Sequence, residues 1–146
     1  MAKVSVSVDV PLSPSEAWQH ASDLTRYKEW LTIHRVWRST LPETLDKGAV
    51  LESIVEVKGM PNRIRWTIVN YQPPKSMTLD GVGVGGVKVK LVGKVRPNDT
   101  EPGASVVSMD VHLGGPALFG PIGMLVAAAL RGDIRASLDR FVLLYG

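Results

Sequence analysis

The residues able to move protons or hold a metal are few and scattered. Histidines stand at positions 20, 34 and 112, and none has a partner at metal-ligand spacing, so neither a metal site nor a catalytic centre is expected. His112 shares a strand face with Ser108 and Asp110, the residue types of a proton relay. The opposite face, Val107, Met109, Val111 and Leu113, is the one suited to a core, so His112 and Asp110 are expected to meet solvent near Lys88 and Lys90. His34 sits among Trp30, Arg35 and Trp37 in what reads as a connecting segment, the kind of place where binding residues concentrate. Its simplest role is an imidazole at the rim of a core. Glu52 and Glu56 fall on a wet strand face opposite basic residues, as ordinary cross-strand pairs do. Asp80, between Leu79 and a glycine run, has an ambiguous facing and gains chemical interest only if buried.

That glycine run, Gly81-Val82-Gly83-Val84-Gly85-Gly86, matches the dinucleotide-binding pattern letter for letter. The pattern works only where the loop opens a helix whose N-terminus holds a pyrophosphate. Here Val87-Lys88-Val89-Lys90-Leu91 continues as a strand, so no nucleotide and no other cofactor is expected. Cysteine is absent, which removes disulfides, thiolate metal sites and a thiol nucleophile.

The elements that must position these residues follow from periodicity. Val4, Val6, Val8 and Val10 alternate with polar residues as a first strand, closed by Pro11. Ser13-Pro14-Ser15-Glu16 has the N-cap, first-turn proline and capping glutamate of a helix start, running to about Leu24, with a second helical turn over 26–31. Strands are expected over 48–58 and 62–72, joined by a type II′ turn at Gly59-Met60 that sets Glu56 against Arg63 and Ser53 against Trp66. Further strands over 76–82, 87–96 and 104–113 complete a curved sheet of six. From Ile122 the apolar residues Val126, Leu130, Ile134, Leu138 and Phe141 fall at helical spacing, while Arg131, Arg135, Asp139 and Arg140 fall largely on the other side. Pro121 is expected to kink this helix.

A sheet wrapped around one long helix leaves room for a cavity between the layers. Trp66, Met77, Leu79, Leu91, Met109 and Val111 are its expected sheet-side lining, with Trp30, His34 and Trp37 at the rim. Leu118, Phe119, Ile122 and Val126 face them, and Leu118, Phe119 and Met124 are expected to form a lid over a hydrophobic ligand.

At 146 residues, with 45% hydrophobic and 21% charged residues, the chain reads as one domain over 1–146. The N-terminus moves straight into strand alternation and the apolar stretch 116–130 is shorter than the ~20 residues a span needs, so a cytoplasmic protein without a membrane span is expected. The net charge of +3 is spread without a dense basic run, so no nucleic-acid partner is expected.

The order strand, two short helices, long sheet and long C-terminal helix resembles the helix-grip fold of the START-like superfamily, an α+β architecture that includes polyketide cyclases, lipid carriers and plant pathogenesis-related (Bet v 1-like) proteins. Segments 21–27 (ASDLTRY), 29–34 (EWLTIH), 57–63 (VKGMPNR) and 110–123 (DVHLGGPALFGPIG) are similar to one mycobacterial branch, described as the toxin of a type II toxin–antitoxin pair. The resemblance implies an apolar cavity and a cognate protein antitoxin, and fold alone assigns no reaction. The implied reading is a non-enzymatic toxin. Its alternatives are a carrier or sensor of a lipid or polyketide-like molecule, and a cyclase or dehydratase needing a buried Asp80 paired with an inward His34.

Overall fold

The computed structural model describes residues 2–116 and 120–146. Its elements, in chain order, are β1 (Ala2–Val10), α1 (Pro14–Ala21), α2 (Tyr27–Trp30), β2 (His34–Trp37), β3 (Val50–Val57), β4 (Met60–Gln72), β5 (Ser76–Val82), β6 (Lys88–Pro97), β7 (Ser105–Gly114) and α3 (Pro121–Tyr145). The strands form one antiparallel sheet in the order β1-β7-β6-β5-β4-β3-β2. β1, β2, β4 and β6 therefore begin at the end of the sheet where β3, β5 and β7 finish. α3 packs mainly on β1 and also touches α2, β3 and β7, which closes the open side of the curl.

The sheet has seven strands, one more than the alternation predicts. The extra strand is β2, which takes in the segment around His34 expected to be a connection. It is four residues long, a register shift separates His34 from Val36, and its exposure does not alternate, so it carries no period-2 signal.

The β3–β4 hairpin also turns elsewhere than expected. Val57 pairs with Met60, and the turn residues Lys58 and Gly59 both have positive φ (54° and 72°), which is type I′ rather than type II′. Glu56 thus faces Pro61, and Ser53 faces Ile64. The slip is two residues, so every side chain keeps its face: Leu51, Ser53, Ile64, Trp66 and Ile68 are buried, with Glu52, Arg63 and Arg65 on the other face.

α1 begins as its sequence dictates. Ser13 is the N-cap, its Oγ accepting from the Glu16 N–H at 3.3 Å, with Pro14 at the first helical position. It stops at Ala21, short of the expected Leu24. There the Ser22 hydroxyl donates to the Trp18 carbonyl (2.7 Å), and Asp23 caps a separate 3₁₀ turn over Leu24–Arg26 through the Thr25 N–H. α3 buries Val126, Leu130, Ile134, Leu138 and Phe141, the stripe expected from the sequence. Pro121 does not kink it: proline occupies the first helical turn, where its missing N–H costs nothing. Ile122 is a correction too. It is 61% exposed rather than turned toward the sheet. The C-terminus of α3 is held by aromatic contacts, with Tyr145 stacked on His20 (4.1 Å) and the Arg26 guanidinium 5.2 Å from the Tyr145 ring.

Candidate interior site

Between α2 and the concave face of the sheet lie two small cavities. The larger, of about 40 Å³, is bounded by Trp18, Trp30, Met77 and Met109 among others; the smaller, of about 20 Å³, is bounded by His34, Trp37, Ser53, Val55 and Trp66. Both touch Tyr27, Leu31, Leu79 and Leu91, so these four residues form the wall between them. Leu79 and Leu91 are direct cross-strand partners on β5 and β6, while Tyr27 and Leu31 come from α2 and its C-cap. Pockets for small molecules commonly enclose roughly 300–1,000 Å³. Both cavities, as the described residues bound them, fall far below that range.

The expected lining residues divide accordingly. Trp30, Met77, Leu79, Leu91 and Met109 reach the first cavity; His34, Trp37 and Trp66 reach the second. Val111 and Val126 are buried but border neither. Leu118 and Phe119 lie outside the described residues. Tyr27 and Leu31 were not expected in the lining, although their spacing from one another across Trp30 places them on one face of a helical turn. Trp18 was also missed, although it sits one helical turn from the capped start of α1.

Three polar features stand in this apolar setting. Trp66 Nε1 donates to Ser53 Oγ at 2.8 Å, a buried bond between diagonal neighbours on β4 and β3. His34 is only 6% exposed, 4.7 Å from the Trp37 ring and 6.4 Å from Tyr27, and desolvation, helped by the Lys28 charge, lowers its pKa to about 4. It is a neutral imidazole at neutral pH, with aromatic ring neighbours. Trp30 Nε1 is buried with no hydrogen-bond partner among the described residues, on a side chain 1% exposed. Tyr27 shows the satisfied counterpart. Its hydroxyl donates to the Ala21 carbonyl at 2.9 Å, and burial, then the Asp23 charge, pushes its pKa up.

The other candidate chemistry is on the outside. Asp80 lies on the outer face of β5, about half exposed, 3.9 Å from Lys90 Nζ. It is not assembled with His34, whose side chain is buried in the interior. Asp110 faces outward, 3.7 Å from Lys94 Nζ, while Val107, Met109, Val111 and Leu113 are buried behind it. The glycine run closes β5 and passes through a 3₁₀ turn over Val84–Gly86 into β6, without opening a longer helix. Among the described residues no group of three His, Asp or Glu side chains could hold a metal ion.

The family model described as polyketide cyclase / dehydrase and lipid transport matches residues 1–145. The chain belongs to this family. Within it, the chain is 72% identical over 145 residues to the protein named Toxin Rv0910 of Mycobacterium tuberculosis (strain ATCC 25618 / H37Rv), covering 99% of both. It is 42% identical over 146 residues to uncharacterized protein Rv1546 of the same strain, covering 100% of both. Among solved structures, a START superfamily protein from Mycobacterium smegmatis superposes with a TM-score of 0.76 at 16% identity, over 100% of each chain. A protein of Thermus thermophilus, TTHA0849, gives 0.74 at 14% identity, over 96% of this chain and 94% of that one. These two establish the shared fold and nothing finer.

Proposed function

We infer that this protein is the toxin component of a type II toxin–antitoxin pair, acting in the cytoplasm through contacts with other macromolecules rather than by catalysis. The observation that carries the reading is end-to-end identity of 72% with a relative named a toxin. The geometry is consistent with it. The interior holds one neutral imidazole without a carboxylate beside it, and the acid that a cyclase-type pair would need is outside, near Lys90. None of the described helices is long and apolar enough to cross a membrane. The direct test is size-exclusion chromatography of this chain mixed with the product of its neighbouring gene. Co-elution as a stoichiometric complex supports the pair, and separate elution at micromolar concentration removes the antitoxin from the account.

A second reading, a carrier or sensor of an apolar molecule bearing a hydrogen-bond acceptor, is favoured by the unpaired Trp30 Nε1 beside a divided cavity. It requires the Tyr27–Leu31 and Leu79–Leu91 wall to part. Native mass spectrometry after gentle purification distinguishes the two readings: a retained apolar mass favours a carrier, and the bare polypeptide mass favours the toxin alone.

A further inference from the structure

Seven large apolar side chains are more than half exposed; Leu143 lies near the C-terminal end of α3, and the other six, Met60, Val82, Val84, Ile122, Met124 and Leu125, belong to one end of the molecule. This is the end where β4 and β6 begin and β5 and β7 finish. The elements there are tied together: Asn62 exchanges hydrogen bonds with the backbone of Val84, and Gly115 lies so close to Gly86 that an added Cβ would come within 3.0 Å of the Gly86 carbonyl oxygen. α3 sets out from the same end. Its residue Arg135 reaches the Ser7 carbonyl and its terminal Gly146 lies beside Pro11, so it runs alongside β1.

A hollow of about 500 Å³ opens over the ends of β5, β6 and β7. The strand ladder fixes two rows beside it. Asp80, Lys90 and His112 are successive cross-strand neighbours, and so are Val82, Lys88 and Gly114. Gly114, in the second row, adds no side chain there. Lys88 is exposed and has no ion-pair partner among the described residues. Lys90 has Asp80 alone, at 3.9 Å with both groups about half exposed, an arrangement of little energetic weight.

We propose that this end of the sheet, centred on Val82 and Lys88, is the docking surface for an acidic, amphipathic segment of the antitoxin protein. An apolar side chain of that segment fills the hollow, and flanking carboxylates meet Lys88 and Lys90. The proposal rests on the toxin reading above and adds to it the surface and the chemistry of the partner. The fixed, mixed-sign pattern selects a protein over a lipid surface. A uniformly anionic bilayer meets Asp80 in the same row as Lys90, whereas a folded segment can place its carboxylates to avoid that acid.

The test is calorimetric titration of the neighbouring gene's product into the wild type, Lys88→Glu, Val82→Asp, and Lys75→Glu as a control in the β4–β5 turn at the opposite end. All three side chains are exposed, and unchanged melting temperatures verify folding. Lys88→Glu and Val82→Asp are each expected to weaken binding about tenfold or more, and Lys75→Glu about twofold at most. Wild-type affinity in both hollow variants overturns the docking surface and leaves the toxin reading standing. Absence of binding by the wild type itself removes both. Co-sedimentation with phosphatidylglycerol vesicles that Lys88→Glu abolishes, alongside unchanged affinity for the neighbour, overturns the proposal in favour of a membrane site.

Discussion

Replacing His34 with phenylalanine (His34→Phe) keeps an aromatic ring against Tyr27 and Trp37 and removes the titrating group. In the folded protein burial, then the Lys28 charge, holds the imidazole at a pKa of about 4, against 6.5 when it is exposed. Between those values the unfolded chain binds more protons than the folded one, so stability rises with pH through this window and is lost as pH falls. At 1.36 kcal/mol per unit, the displacement is worth about 3 kcal/mol once pH reaches about 4, and about 1.4 kcal/mol at pH 5.5. Above pH 7 the group contributes no slope. The assay is urea unfolding followed by tryptophan fluorescence at pH 7.5, 5.5 and 4 for both proteins. Carboxylates titrate in both and cancel in the difference, so the wild type should lose about 3 kcal/mol more than His34→Phe between pH 7.5 and 4. Parallel pH profiles would refute the placement of His34 as a buried, neutral side chain.

Three further substitutions probe the same interior. Ser137 is buried in α3, where its hydroxyl accepts from the Thr32 N–H at 2.9 Å and donates to the Asp133 carbonyl at 2.7 Å; Ser137→Ala strands the Thr32 amide and should cost about 1–3 kcal/mol in urea unfolding, with no effect telling against this link between α3 and the α2–β2 connection. A Cβ on Gly81 would stand 2.6 Å from Ile64 Cγ2 and 2.7 Å from the Trp66 ring, so Gly81→Ala should lower stability by about 1–3 kcal/mol, and a neutral result would mean that Trp66 does not lie over Gly81. Leu79 belongs to the wall between the two cavities, and Leu79→Ala should cost about 2–5 kcal/mol while opening a site for an apolar probe such as benzene. Its thermal melting point should then rise with added benzene while that of the wild type does not; equal responses would show that the wall does not divide the interior.

How much was legible in the sequence depended on the strength of each local signal. β1, and β7 from Val107 onward, alternate cleanly, and the apolar stripe of α3 holds 3.6-residue spacing, so their buried faces follow from the residues alone. β2 gives no such signal, because four residues with a bulge between His34 and Val36 cannot show a period. That omission placed His34 in a connection, whereas strand pairing with β3 helps hold it in the interior. The β3–β4 turn was misplaced because lysine rarely adopts φ near +54°, which made glycine the better first turn residue on sequence grounds. Sheet parity survives the two-residue slip, so Trp66 keeps its inward facing, and Leu79 and Leu91, on strands that the slip does not touch, are buried as their own alternation requires. The division of the interior into two small cavities was not legible, since it depends on how Tyr27 and Leu31 meet Leu79 and Leu91 across more than forty residues of chain.

The central claim is tested most directly by growth of a mycobacterial host under inducible expression of this chain, with and without its genomic neighbour. The toxin reading predicts growth arrest on induction and relief when the neighbour is co-expressed. Normal growth at confirmed soluble expression of the chain alone would contradict it.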